Sequence, residues 1–290
     1  MQISPTERGT VQGSSDYDKQ RSVRMQRLRS VRNLIIDMDG VLYLGDQPMP
    51  GLGAFFDLLR EQGIRYQLVT NNSTLTPGMY VDKLARMGVN VQVDEVLTSS
   101  LGVAQYLLSL FPRASRVYAI GEEGLTDALQ EAGFVLSHHH PVAVVVGLDR
   151  DITYGKLRQA TLLIRSGVPF VATNPDQTLP VPEGQVPGSG SIVAAVAAAT
   201  DRQPLFIGKP EPLLMEQAMQ RMDAPRETTA AIGDRPETDV LSAQRAGILS
   251  ILTLSGVTDN ARLATFDIHP DIVVQDIQAL TRAWKQVLAG

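Results

Sequence analysis

The fold is decided by the stretch Asn33-Leu34-Ile35-Ile36-Asp37-Met38-Asp39-Gly40, in which an apolar run ends in two carboxylates and a glycine. Alternate side chains of a β-strand share a face, so Asp37 and Asp39 would start on the same side of the chain. Gly40 would let the backbone turn sharply where the strand ends. Two acids in one small volume repel each other, and a divalent cation usually offsets that repulsion. Taken alone, the stretch also fits an acidic turn after a buried strand.

Strand and helix patterns alternate on the C-terminal side of this stretch. Apolar residues of 51–61 have helical spacing, 66–70 has the pattern of the next strand, and Pro77 begins a further helix. The alternation returns in the last quarter of the chain, where 229–234 predicts another strand. Such alternation indicates a parallel sheet with helices on both faces. The predicted fold class is therefore α/β, with a Rossmann-like, doubly wound parallel-sheet core.

Composition narrows the class of protein further. The net charge of −5 gives no basic surface for nucleic acid, and the absence of cysteine excludes disulfides and thiolate metal sites. Apolar runs such as 142–146 and 192–199 are far shorter than the roughly 20 residues that span a bilayer. The N-terminus also lacks the apolar segment of a secretory signal. We therefore expect a cytoplasmic protein that binds neither nucleic acid nor a membrane.

Four predicted strands end in polar residues of complementary chemistry. In chain order these ends carry Asp37 with Asp39, Thr70 with Asn71, Lys209, and Asp234. The carboxyl ends of parallel strands share one edge of a sheet, which is where open α/β sheets bind ligands. Carboxylate oxygens suit Mg²⁺, whereas a threonine hydroxyl, main-chain N–H groups and an ammonium suit the oxygens of a phosphate. The combination predicts a joint site for Mg²⁺ and a phosphorylated ligand.

In this order the motifs resemble those of the haloacid dehalogenase superfamily. The four motifs of that superfamily match Asp37-Met-Asp39-Gly40-Val-Leu-Tyr43, Val69-Thr70-Asn71-Asn72, Gly208-Lys209-Pro210 and Gly233-Asp234-Arg-Pro-Glu-Thr-Asp239. The chain is most similar to the NagD-like and p-nitrophenyl phosphatase branch, and the likeness runs from about residue 33 to the C-terminus. The stretches 172–176, 187–191 and 254–257 also look like that branch. The resemblance implies a phosphoric monoester hydrolase with a C2-type α/β cap domain.

Motif spacing supports an inserted cap. Between Asp37 and Thr70 there is room for only one helix and one strand, whereas the interval from Asn72 to Lys209 is far longer than one crossover connection needs. We therefore expect a second α/β unit between the second and third motifs. The predicted division is a flexible basic arm over 1–32, a first core segment over 33–110, the cap over 111–203, and a second core segment over 204–290.

The resemblance also implies a role for each site residue. Asp37 would attack phosphorus and form an aspartyl-phosphate, and Asp39 would act as general acid and then general base. Mg²⁺ would be held by the Asp37 carboxylate, the Asp39 main-chain carbonyl and Asp234. The phosphoryl group would be bound by Thr70, Asn71, Asn72 and Lys209. Asp239 would orient Lys209 or a metal-bound water.

The identity of the ligand stays open at this level. The expected partner is a small phosphorylated metabolite that contacts the cap loop 176–190; sugar phosphates, phosphoglycolate, nucleotides and cofactor phosphates all fit. Relatives of this kind often pair through their caps, so a homodimer through the cap is a further expectation. The alternative function is a non-catalytic phosphate-binding or regulatory protein on the same fold. The intact acid pair and Lys209 argue against that alternative.

Overall fold

The structure, a computed structural model, describes residues 23–181 and 183–289. The strands are β1 Asn33–Ile36, β2 Tyr43–Leu44, β3 Gln47–Pro48, β4 Arg65–Thr70, β5 Val96–Thr98, β6 Arg116–Ile120, β7 Val135–Leu136, β8 Ala143–Val146, β9 Phe170–Ala172, β10 Thr178–Val181, β11 Gly184–Pro187, β12 Leu205–Phe206, β13 Thr229–Gly233, β14 Leu249–Thr253 and β15 Ile272–Val274. The α-helices are α1 Leu52–Glu61, α2 Pro77–Arg86, α3 Ser99–Leu110, α4 Glu123–Glu131, α5 Tyr154–Arg165, α6 Ser189–Thr200, α7 Leu213–Met222, α8 Leu241–Arg245, α9 Asn260–Leu263 and α10 Ile277–Ala289. Within the described residues, no helix has both the length and the hydropathy needed to cross a membrane.

The core is a six-stranded parallel sheet in the order β15-β14-β13-β1-β4-β5. On one face α1, α2 and α10 enclose a cluster that includes Phe56, Tyr80 and Trp284. On the other face α7 and α8 contribute Leu214 and Ala243 to a second cluster. Every residue of β1 is buried, as a strand covered on both faces requires. The predicted doubly wound α/β core is confirmed.

The order of the core strands reverses between β1 and β13. From β1 the chain proceeds to β4 and β5 on one side, whereas β13, β14 and β15 extend on the other. Ile36 at the end of β1 pairs with Ile232 in β13, so the residues that follow the two strands lie side by side. Such a reversal opens a crevice beyond the carboxyl ends of the strands. Asp37 and Asp234 stand at this crevice.

A second parallel sheet, the cap, is inserted between β5 and β13 in the order β12-β9-β8-β6-β7. Helices α3 and α4 pack on one face around Leu107 and Leu125. Helices α5 and α6 pack on the other face around Ile164 and Val196. The predicted α/β cap is thus confirmed as a complete three-layer unit with its own core.

At the junction of core and cap, two elements differ from the predicted division. Helix α3, predicted in the core, packs Val103 and Leu107 into the cap. Strand β12, predicted in the second core segment, pairs Leu205 with Val171 of the cap sheet. Only a short connection separates the end of α6 from β12, and the strand extends the cap sheet at the edge of β9.

The predicted arm over 1–32 is only partly described, because residues 1–22 lie outside the described residues. For residues 23–32 the prediction of a flexible segment is wrong. A 3₁₀-helix, Arg27–Ser30, places Leu28 in the core cluster that contains Trp284. Arg29 Nη2 donates to the carbonyl oxygen of Val287 in α10 at 2.8 Å. Burial of Leu28 and these long-range bonds offset the entropy lost on ordering the segment.

The Pro- and Gly-rich stretch predicted as a loop over 179–190 contains a β-hairpin. Strands β10 and β11 are antiparallel and pair Leu179 with Val186. Pro180 and Pro187 donate no main-chain hydrogen bond, which a two-stranded ribbon with open edges tolerates. The cap therefore carries a two-stranded ribbon here instead of an irregular loop.

Leu28→Ala should lower the free energy of unfolding by about 2–5 kcal/mol, because it removes a fully buried side chain from the core cluster. Urea denaturation would measure the change. Val23→Ala is the matched control, since Val23 is 69% exposed and its truncation should cost less than about 0.5 kcal/mol. Equal stability of Leu28→Ala and the parent would show that residues 23–32 do not pack on the core.

Candidate active site

A cavity of about 550 Å³ lies between the core and the cap. Its volume falls within the range of roughly 300–1,000 Å³ that small-molecule sites occupy. It is lined by all of the predicted site residues, namely Asp37, Asp39, Thr70, Asn71, Asn72, Lys209, Asp234 and Asp239. The cap contributes the hairpin strand β10 to the opposite wall. The structure therefore brings the four motifs together at one site.

Three carboxylates converge in the cavity. Asp37, Asp234 and Asp239 each offer an oxygen within 4.8 Å of the others, whereas the Asp39 carboxylate lies outside this group. Burial raises the pKa of Asp37, and the neighbouring Asp239 and Asp234 raise it further against the opposing effect of Lys209. Burial and Asp239 also raise the pKa of Asp234 to about 6. The charged forms of these acids are therefore costly unless cations lie close to them.

One such cation is the ammonium of Lys209. Its Nζ donates to Asp37 Oδ1 at 2.6 Å and to Asp239 Oδ1 at 2.5 Å, and its side chain is only 3% exposed. Burial alone would lower the pKa of Lys209, but Asp239 and Asp37 outweigh that effect and raise it. Lys209 reaches the core from the loop after the cap strand β12, not from a core strand as the sequence predicted.

The acids differ in which oxygens are still available. Asp239 Oδ2 accepts from Arg235 N at 3.1 Å, so both Asp239 oxygens have a partner. Asp234 Oδ2 accepts from Val257 N at 2.8 Å. Asp37 Oδ2 and Asp234 Oδ1 accept no hydrogen bond from the described residues. These two carboxylate oxygens are therefore the ones available to bind a divalent cation.

Glycines let these acids approach the backbone. A Cβ atom at Gly40 would lie 2.5 Å from Asp234 Oδ2, and one at Gly256 would overlap the same carboxylate. Gly40 also has a φ of 81°, which side-chain-bearing residues rarely adopt. A Cβ atom at Gly233 would overlap the side chain of Asp239. Sequence reasoning gave Gly256 no function, although it lies in a stretch that resembles the phosphatase branch.

The loop after β4 offers polar groups to an anion. Thr70 Oγ1 accepts from Asn72 N at 3.1 Å. Asn71 Nδ2 donates to Asp176 Oδ2 at 3.1 Å and to the carbonyl oxygen of Lys209 at 2.9 Å. Both amide hydrogens of Asn71 are thus used within the protein. Its main-chain N–H has no partner among the described residues and is the group left for a phosphate oxygen.

Hydrogen bonds join this loop to the cap. Asn174 Nδ2 donates to the carbonyl oxygen of Asn71 at 2.7 Å, next to the bond between Asn71 and Asp176. Gly124 N at the start of α4 donates to the carbonyl oxygen of Thr74 at 3.0 Å. Asp176 also lines the cavity, and burial raises its pKa. The predicted contact loop 176–190 therefore begins at the cavity wall.

Sequence reasoning missed three cations that line the cavity, Lys83, Arg150 and Arg235. Lys83 Nζ lies 4.0 Å from the centre of the Tyr43 ring. Arg150 lies in the loop after the buried strand β8 and does not follow the strand directly as Asp37 follows β1, so the strand-end rule did not single it out. Lys83 lies inside helix α2, where no comparable sequence signal exists. Arg235 stands within the fourth motif, but no role was assigned to it.

Comparison with known proteins gives consistent matches. Residues 34–135 match the haloacid dehalogenase-like hydrolase family, and residues 206–280 match a HAD-hydrolase-like family. An acid sugar phosphatase from Staphylococcus saprophyticus is 38% identical over 256 residues, which cover 88% of this chain and 98% of the relative. These matches include both segments that carry the acids.

Two solved structures extend the likeness to three dimensions. The 4-nitrophenylphosphatase from Thermotoga maritima has a TM-score of 0.85 at 39% identity and covers 88% of this chain and 98% of its own. The glycerol phosphate phosphatase from Mycobacterium tuberculosis, solved in complex with magnesium, has a TM-score of 0.83 at 31% identity. That match covers 90% of this chain and 79% of the mycobacterial one. Core and cap are therefore shared with phosphatases.

Gly256→Ala should abolish most of the activity toward p-nitrophenyl phosphate while the fold persists, because the new methyl group displaces the Asp234 carboxylate. Steady-state kinetics and circular dichroism would measure the two effects. Gly53→Ala is the matched control: nothing lies within 4 Å of a Cβ atom at this position, so activity should not change. Full activity of Gly256→Ala would show that the position of Asp234 is not critical.

Proposed function

The chain belongs to the haloacid dehalogenase-like hydrolases and is a phosphoric monoester hydrolase, and we propose that it hydrolyses small phosphomonoesters with Mg²⁺ through an aspartyl-phosphate on Asp37. The observation that carries this proposal is the Lys209 ammonium held between Asp37 and Asp239 beside the unbonded oxygens of Asp37 and Asp234. Relatives named acid sugar phosphatase and glycerol phosphate phosphatase support a small phosphorylated substrate. They argue against the non-catalytic alternative.

Asp37 is the proposed nucleophile. Lys209 holds the Asp37 carboxylate through Oδ1, so one carboxylate oxygen would attack phosphorus while the other, Oδ2, would be left for the cation. Attack forms a bond from the carboxylate oxygen to phosphorus, and the ester bond from phosphorus to the leaving oxygen breaks. Asp39, which lines the same cavity, donates its proton to that oxygen and releases an alcohol. Burial raises the pKa of Asp39, which favours the protonated form that this step needs.

Hydrolysis of the intermediate reverses the proton transfer. Asp39, now ionised, accepts a proton from water, whose oxygen attacks phosphorus. The bond from phosphorus to Asp37 breaks, inorganic phosphate leaves, and the Asp37 carboxylate is restored. Lys209, the Thr70 hydroxyl and the Asn71 N–H would stabilise the charge on the transferring group in both steps. Asp239 would hold Lys209 in place, and the cap would exclude bulk water.

The donor set fits Mg²⁺. Hard carboxylate oxygens converge, the pKa values of Asp37 and Asp234 are raised by burial and mutual repulsion, and each acid retains an unbonded oxygen. Asp37, Asp234 and the main-chain carbonyl of Asp39 would hold the ion. When bound, Mg²⁺ would offset the charge of the acids and of the phosphoryl oxygens. A cytoplasmic location and a homodimer through the cap stay predictions.

Asp37→Asn should abolish turnover, whereas Asp39→Asn should separate the two half-reactions. With glycerol phosphate the Asp39→Asn rate should fall about 100- to 10,000-fold, because an alkoxide leaves poorly without a proton. With p-nitrophenyl phosphate the leaving group needs little protonation, so a burst of about one nitrophenolate per enzyme should precede a slow steady state. Stopped-flow absorbance would detect the burst. Turnover by Asp37→Asn, with deamidation excluded by mass spectrometry, would refute the nucleophile.

Removal of divalent cations with EDTA should abolish hydrolysis of p-nitrophenyl phosphate, and Mg²⁺ should restore it. Because Mg²⁺ should bind only the folded state, it should also raise Tm. At a free Mg²⁺ concentration of 100 times Kd, the folded state should gain about 2.7 kcal/mol of stability. Differential scanning calorimetry with and without Mg²⁺ would measure the shift. Asp234→Asn should lose both responses, whereas Asp46→Asn, an exposed acid outside the cavity, should keep them. An undiminished shift in Asp234→Asn would exclude Asp234 as a ligand.

A further inference from the structure

The cap has a strand-order reversal of its own, which faces the active site. From β6 the chain proceeds to β7 on one side, whereas β8, β9 and β12 extend on the other. Ile120 at the end of β6 pairs with Val146 at the end of β8, so the residues that follow them are neighbours. The bond from Gly124 N to the Thr74 carbonyl oxygen brings this edge against the core loop after β4. The crevices of the two sheets thus open toward each other.

A preorganised guanidinium stands at the reversal in the cap. Arg150 follows β8, and Glu122 follows β6. Arg150 N donates to Glu122 Oε1 at 3.0 Å, and Arg150 Nη1 donates to Glu122 Oε2 at 2.6 Å. These bonds orient the arginine, whose side chain is 57% exposed, and leave most of its five N–H donors free. Arg150 lines the cavity, so its free donors border the space where a leaving group would lie.

Charge and volume set this position apart from the phosphoryl site. Among the described lining residues Arg150 is the sole cation contributed by the cap, and the hairpin beside it presents Leu179, Pro180 and Val181. Lys209 is committed to two carboxylates. A cavity of about 550 Å³ also holds far more than a phosphoryl group. A guanidinium held by Glu122 on the cap side of the cavity favours a planar or tetrahedral anion that accepts two hydrogen bonds.

We propose that Arg150 is a specificity-determining residue that binds a second anionic group, a carboxylate or a second phosphoryl group, on the leaving-group side of the substrate. The inference rests on the proposed phosphatase function and names the substrate class of that site. Preferred substrates are then phosphomonoesters with an additional negative charge. Glu122 is the positioning residue that holds the guanidinium toward the cavity.

Matched substrates test this assignment. 3-Phosphoglycerate differs from glycerol 3-phosphate by a carboxylate in place of a hydroxymethyl group, and fructose 1,6-bisphosphate differs from fructose 6-phosphate by a phosphoryl group. The parent enzyme should have the higher kcat/KM for the charged member of at least one pair. Arg150→Gln should lower kcat/KM for that member about 10- to 100-fold, mainly through KM, because a charged hydrogen bond is lost. The uncharged member and p-nitrophenyl phosphate should change less than twofold.

Two further variants separate recognition from folding. Arg158→Gln removes an exposed cap arginine outside the cavity and should leave every substrate unaffected. Arg150→Lys keeps the positive charge but cannot donate two parallel hydrogen bonds to one anion, so its kcat/KM should lie between those of Arg150→Gln and the parent. The same variant replaces Arg150→Gln in the test if that protein does not fold. A loss confined to the carboxylate pair or to the bisphosphate pair identifies the anion.

Equal changes for charged and uncharged members, or no change for either, would overturn the role of Arg150 even though p-nitrophenyl phosphate is hydrolysed. Failure of the parent enzyme to hydrolyse p-nitrophenyl phosphate with Mg²⁺ would instead reject the phosphatase function on which the assignment rests. The two failures are therefore distinguishable in one series of assays.

Discussion

A single buried ammonium holds the active site together. Lys209 lies between Asp37 and Asp239 with almost no exposure to solvent, so each partner compensates for the loss of hydration of the others. Without the lysine, three carboxylates within 4.8 Å would repel each other in a medium that screens poorly. The same cation fixes one oxygen of Asp37 and leaves the other free. The charge balance of the site thus depends on one side chain, which follows the last strand of the cap.

Two α/β units, each with its own strand-order reversal, face each other across the cavity. The core lines the cavity with the acids that would surround phosphorus, and the cap lines it with the hairpin strand β10 and Arg150. Glycines allow the loop after β4 to approach the cap closely. A Cβ atom at Gly208 would lie 2.6 Å from Asn71 Oδ1, and one at Gly124 would lie 2.6 Å from the Leu75 carbonyl oxygen. In the proposed mechanism, bond cleavage and recognition of the leaving group therefore reside on separate sheets.

The sequence was sufficient to predict those site residues whose position follows from the local strand pattern. Asp37 and Asp234 follow buried strands, and parallel strand ends meet at one edge whatever the helices between them contain. Sequence reasoning failed where the position of a segment depends on which distant part of the chain it packs against. Strand β12 pairs with β9 of the cap, and Leu28 is ordered by packing near Trp284 at the other end of the chain. Arg150 became visible only once the edge of the cap was known to face the core.

The chain returns from cap to core through Gly208, and Lys209 follows at once. Gly208 N donates to the Thr173 carbonyl oxygen at 2.7 Å, and Ser99 Oγ at the outward crossing donates to the Asn71 carbonyl oxygen at 2.6 Å. Both crossings lie beside the loop after β4. Points near a pivot travel least, so a swing of the cap about this junction would displace the hairpin far more than the lysine. Such a motion would open one wall of the cavity to substrate and product while the reacting groups kept their arrangement.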